Sequence, residues 1–189
     1  HMDEVGLIIT GIDDDGYLKF DFIGGIDRRV VIGKRVYVGR DRVPGFIGIK
    51  AFHLVEKDEK KTVPKVEGMY IDIGAKSKEE AEKKVKIGDT ACFVGDAVQA
   101  GDMIISKALD NRSGCAVLIK AIQNLPPTDN ELYFVFTVQE ELGLRGARTA
   151  AYQIQPDIAI AIDVTDTGDT PECRTMAVRC GAGPAIKIK

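Results

Sequence analysis

Two adjacent acids, Glu140 and Glu141, follow the apolar run Leu132-Tyr133-Phe134-Val135-Phe136-Thr137-Val138 and precede Gly143. A β-branched and aromatic run of this kind predicts a strand buried on both faces. Open α/β sheets place their chemistry just past the carboxyl ends of such strands. Neighbouring carboxylates there point in different directions, so one can hold a metal while the other handles a proton. Three further sites fall at similar points: Asp163 ends the apolar run Ile158–Ile162, Asp110 opens a helical segment, and His1 and Asp3 precede a strand. Imidazole and carboxylates without thiolates suit Zn, Co or Mn in a working site rather than a structural zinc. A shared carboxylate bridging two ions would give the two-metal arrangement of hydrolases, and a free carboxylate beside it would move the proton. Each site also has an ordinary reading. Asp110 suits a helix N-cap, Asp163 a turn acceptor, Glu140-Glu141 a solvated turn, and a terminal His1 is open to disorder. Their common placement at element ends favours the joint reading.

The elements that would position them fall into two textures. From about residue 5 to 98 the chain reads as short strands divided by Gly and Asp turns: Gly6–Thr10, Tyr17–Phe22, Arg35–Val38, Phe46–Lys50 and Met69–Ile73. That spacing predicts a small β-barrel or sandwich. Ser77-Lys78-Glu79-Glu80 is a capping-box pattern opening a short helix, and the Lys- and Glu-rich stretch 56–65 reads as an exposed loop. Beyond residue 98 the order becomes helix (Cys115–Leu125, stopped by Pro126-Pro127), strand (132–138), helix (144–152) and strand (158–162). Alternation of this kind predicts a mostly parallel α/β sheet.

Composition narrows the function classes. The chain has 189 residues, 44% of them hydrophobic, and a net charge of −3. No basic stretch interleaved with aromatics suggests nucleic acid, and no apolar run reaches the length of a membrane span. Cys92, Cys115, Cys173 and Cys180 form no C-x-x-C pair, which suits a reducing cytoplasm. Peptides, small molecules or further copies of the chain are the expected partners.

Taken together, four segments resemble the co-catalytic metallo-aminopeptidases, a family of tetrahedral, glutamyl and deblocking aminopeptidases in which some members carry endoglucanase or cellulase names. They are His1-Met2-Asp3-Glu4-Val5-Gly6, Lys107-Ala108-Leu109-Asp110-Asn111-Arg112-Ser113-Gly114, Thr137 to Ala147, and Ala161-Ile162-Asp163-Val164-Thr165. Ile71 to Ala81 is similar to the family's inserted domain. The resemblance spans the whole chain. It implies an α/β catalytic domain with a mostly parallel sheet, here partial (residues 1–4 and 99–189), and an inserted small β-barrel-like dimerisation domain (5–98). It implies a metal-dependent aminopeptidase with two divalent ions, Zn or Co, acting on short peptides and forming homo-oligomers that assemble into larger particles. His1 and Asp163 would hold one ion, Glu141 the other, and Asp110 would bridge them. Glu140 would be the general base and acid, with Asp3 orienting His1. A cis peptide at Asp110-Asn111 is also implied. Segments before His1 and after Lys189, with a last histidine ligand, would lie outside this chain, which alone would be inactive. His53 does not match that ligand and reads as a structural or interface residue.

Two other functions compete. A glycosidase also uses two carboxylates, though set apart across the scissile bond rather than adjacent. Alternatively, the chain serves as an assembly module through its β-domain, without catalysis.

Overall fold

The computed structural model describes residues 1–56, 61–173 and 176–188. Six strands, β1 (Gly6–Ile12), β2 (Leu18–Ile23), β3 (Arg35–Val38), β4 (Val43–Ile49), β5 (Met69–Asp72) and β6 (Thr90–Phe93), close into an antiparallel barrel of order β1-β2-β5-β4-β3-β6. Alternation of apolar and polar residues creates the barrel, because successive side chains point in and out. Leu18, Phe20, Val36, Val38 and Ile71 point inward and are buried, while Lys19 and Asp21 face water. Closure comes from Leu7 and Ile8 of β1 pairing with Ala91 and Thr90 of β6, which leaves no free sheet edge. Space inside is tight. A Cβ on Gly45 of β4 would stand 2.7 Å from Ile71 Cγ2 and 3.3 Å from Val36 Cγ2, both buried side chains.

The capping pattern forms in part. Ser77 Oγ accepts from Glu80 N at 3.3 Å and starts α1 (Lys78–Glu82). The Glu80 carboxylate, however, accepts from Lys76 N at 3.0 Å rather than from the cap residue itself. Ala81 and Val85 then join the barrel's apolar cluster. Of the Lys- and Glu-rich stretch, residues 57–60 lie outside the described residues.

After the barrel, a hairpin of β7 (Val98–Ala100) and β8 (Met103–Ile105) leads to α2 (Leu109–Gln123) and later α3 (Arg145–Ile154). Helix α2 begins earlier than its apolar pattern predicts, and Asp110 and Asn111 interrupt it with non-helical backbone. The parallel sheet expected in this half does not form among the described residues. The segments 132–138 and 158–162 have no strand assignment and no ladder partner there. Their apolar side chains are not buried on both faces: Ile158 and Ile160 are 83% and 84% exposed. A β-branched run acquires strand structure only when a neighbour takes up its backbone N–H and C=O groups. The four cysteines are free, as expected. Among the described residues no helix is long and apolar enough to cross a membrane.

Burial therefore concentrates in the barrel, which makes a contrast measurable in this chain. Ile71→Ala empties a fully enclosed site and should cost about 3 kcal/mol in urea unfolding. Ile160→Ala should cost no more than about 0.5 kcal/mol. Equal costs would place the stabilising core elsewhere.

Candidate metal centre

The two halves meet around His1, whose side chain is only 2% exposed although it is the first residue. Three contacts fix it. Met2 N donates to Thr137 O at 2.8 Å, Cys115 Sγ lies 3.2 Å from His1 O, and His1 Nδ1 lies 3.2 Å from both the carbonyl and the Oδ1 of Asp3. With the ring proton on Nδ1, where these acceptors can take it, a lone pair is left at Nε2 on the opposite side.

That lone pair faces acids. Asp110 Oδ1 stands 3.0 Å from Nε2, Glu140 Oε2 3.5 Å and Asp163 Oδ1 4.0 Å. A lone pair turned toward carboxylate oxygens needs a positive charge between them, either a proton on the ring or a metal cation. Two groups offer ligand atoms all within 4.8 Å of one another: His1 with Asp110 and Glu141, and His1 with Glu140 and Asp163. The predicted set thus converges on one imidazole. Within these groups Glu141 stands with Asp110 and Asp163 with His1, and Glu140, expected to stand free, is also at ligand spacing. His53 sits exposed on a short 3-10 helix (Phe52–Leu54) and belongs to neither group.

Local structure explains the convergence. Asp3 does more than meet the ring. Its Oδ1 accepts from Glu140 N at 3.1 Å and its Oδ2 from Glu141 N at 3.2 Å, so one carboxylate orients both acids. Gln139 just before them takes a left-handed backbone, φ 57°, which turns the chain away from the apolar run. Asp110 follows Ala108, at φ 55°, and the Asp110-Asn111 peptide is cis, as the family resemblance implied. Asn111, 1% exposed, donates from Nδ2 to Ile162 O at 2.8 Å and accepts from Gly114 N at 3.0 Å. It thereby holds the segment bearing Asp163 against the start of α2. Gly24, φ +82°, lets the barrel approach: a Cβ there would stand 2.9 Å from Val5 Cγ1 and 3.1 Å from Glu141 Cβ. Beside Asp110 and Glu141 lies a cleft of about 330 Å³ walled by Val5, Gly25 and Phe93 from the barrel side and by Glu4, Lys107 and Ala108. Roles for Asn111, Glu4 and Lys107 were not legible beforehand. All three lie inside the motif segments, but nothing in their spacing told which of them would meet.

Crowding raises the acids' proton affinity. Partial burial, and then the charge of Asp163, hold the Asp110 and Glu140 carboxyls above their usual range. Burial followed by Asp110 and Glu140 does the same to Glu141. A carboxyl raised on folding keeps its proton to higher pH than in the unfolded chain. Its contribution to stability is therefore full below the ordinary pKa and lost as pH rises through the folded value. Glu141→Gln should accordingly raise the Tm of the metal-free protein relative to wild type at about pH 6–7, with the difference vanishing near pH 4. Zn or Co added to wild type should offset the same deficit. A Tm difference that does not change with pH would remove this electrostatic account.

The family model described as M42 glutamyl aminopeptidase matches residues 1–189. A protein of Acetivibrio thermocellus named as a candidate aminopeptidase is 61% identical over 189 residues, which are 100% of this chain and 56% of that protein. The structure of an aminopeptidase from the archaeon Desulfurococcus kamchatkensis superposes with a TM-score of 0.90 at 44% identity, covering 98% of this chain and 52% of its own. A Pyrococcus horikoshii TET1 peptidase, described as able to assemble into a tetrahedron or a large octahedral shell, matches with a TM-score of 0.76 at 42% identity, over 90% of this chain and 55% of its own. The chain spans about half the length of these relatives. With its whole length matched and its acidic motifs gathered around His1, the chain belongs to the M42 glutamyl aminopeptidase family.

Proposed function

We propose that this chain supplies most of the metal site of an aminopeptidase that hydrolyses the amino-terminal peptide bond of short peptides. One observation carries the reading: His1 Nε2 faces carboxylate oxygens 3.0 Å and 3.5 Å away, an arrangement that a metal cation would satisfy with more of these acids than a ring proton can. Family membership and the names of the relatives support it. His1 and Asp163 would hold one divalent ion, Glu141 the other, and Asp110 would lie between them. The ions, Zn or Co, would polarise the scissile carbonyl and acidify a water.

The chain's own residues would do the remaining work. Asp3 keeps the His1 proton on Nδ1 and aims Glu140 and Glu141 through their backbone N–H groups. Glu140, with proton affinity raised by burial and by its acidic neighbours, suits a group that takes a proton from water and returns it to the departing amine. In the whole protein, segments 1–4 and 99–189 would form the α/β catalytic domain, with 132–138 and 158–162 as strands of a mostly parallel sheet. Residues 5–98 would be the inserted dimerisation barrel, and copies would assemble into a larger particle, as the Pyrococcus horikoshii relative does. Free, dispersed cysteines fit a cytoplasmic enzyme. The glycosidase alternative fares worse, because its two carboxyls must stand roughly 5–9.5 Å apart across a bond. Here Asp110 and Glu141, and likewise Glu140 and Asp163, bring carboxylate oxygens within 4.8 Å of each other beside one imidazole.

Aminoacyl p-nitroanilides with the full-length protein test the assignment. Turnover should require Zn or Co and disappear on chelation; activity that survives complete chelation would sink the reading. Glu140→Gln should lower kcat by about 10²-fold or more while metal content is retained. Asp110→Ala should lose both turnover and bound metal, as measured by atomic absorption.

A further inference from the structure

Outside His1 and the five acids around it, an ion pair joins parts of the chain far apart in sequence. Lys107 Nζ donates to both carboxylate oxygens of Glu4, at 2.6 Å and 2.8 Å. Both side chains are partly shielded, 34% and 27% exposed, at the edge of the cleft beside Asp110 and Glu141. Charge pairs on open surfaces contribute little, but a two-point contact in partial shelter has a defined geometry.

Position gives this pair its significance. Glu4 directly follows Asp3 and leads through Val5 into β1. Lys107 lies three residues before Asp110, across the left-handed turn at Ala108. The stem of Lys107 is also pressed against the chain leaving the barrel: a Cβ on Gly95 would stand 3.2 Å from Lys107 Cβ. The pair therefore sits where the entry to the barrel, the exit from it and the loop carrying Asp110 cross. Met2 N ties the His1 segment to Thr137, not to the Asp110 segment. Apart from the contact between His1 and Asp110 themselves, the only polar link between these two segments shown among the described residues is the Cys115 thiol at His1 O, a weak donor.

We propose that Glu4 and Lys107 form a positioning clamp that sets the separation of His1 from Asp110 and so prepares the metal centre before an ion arrives. The clamp rests on the metal-centre reading above and adds to it two residues that touch neither the ion nor the substrate. A cation-binding site is only as tight as its ligands are held, since ligands left free to separate must be reordered on binding.

The test is a double-mutant cycle in the full-length protein, read by calorimetric titration of Zn into metal-free samples, with Tm and steady-state kinetics alongside. Lys107→Met and Glu4→Gln should each weaken Zn binding by about tenfold. The double variant should be no worse than either single one, because both remove the same interaction. Lys107→Arg, which keeps the pair, should retain most of the affinity, and kcat should fall in the single variants with KM little changed. Affinities within about twofold of wild type, even with lowered Tm, would overturn the clamp and leave the pair a scaffold contact. Effects that multiply in the double variant would overturn it too. A wild-type protein that binds no Zn would instead overturn the metal-centre reading on which the clamp depends.

Discussion

The structure turns on the convergence of like charges. Asp3, Asp110, Glu140 and Asp163 approach one imidazole, and Glu141 stands within ligand spacing of it. Among the described residues only His1 meets them at the centre, its Nδ1 toward Asp3 and its Nε2 toward Asp110 and Glu140. Such an assembly is unfavourable unless something positive occupies the middle. The barrel core must therefore carry the cost of holding it together. A buried apolar cluster in one half and an exposed, acid-lined junction in the other are two aspects of that constraint.

How the acids are held follows from it. Among the described residues none of them has a Lys or Arg directly on it. Instead, neutral backbone groups do the orienting: the N–H groups of Glu140 and Glu141 on Asp3, and the Ile162 carbonyl on Asn111. Amide dipoles orient carboxylates without neutralising them, which keeps their charge available for a cation. Lys107 conforms to the same rule from a distance. Its charge is spent on Glu4, outside the ligand set, so it can brace the site without competing for it.

The barrel is closer to the chemistry than an assembly domain needs to be. Gly24 brings its β2 exit against Glu141, and Gly25 and Phe93 form part of the cleft wall. Glu4 and Gly95 mark the chain's entry and exit, both within reach of Lys107. A barrel joined to the rest of the chain by two short crossings would otherwise be free to rock. Contacts at the crossings convert it into part of the site's frame.

The sequence by itself determined the barrel strands, because a period of two in the apolar pattern is a local property that survives any tertiary context. It also determined the candidate site residues, since His1, Asp110, Glu140, Glu141 and Asp163 stand at element ends within recognisable motifs. For 132–138 and 158–162 composition predicts buried strands, which this chain does not form among the described residues. A strand exists through its neighbours, and among the described residues none pairs with either run. Only the tertiary structure decided how the ligands group, with Glu141 beside Asp110 and Glu140 beside Asp163. It alone showed that Asn111 braces the Asp163 segment and that Lys107 meets Glu4 across 103 positions. Those pairings depend on distances in space between residues remote along the chain, and no local pattern encodes them.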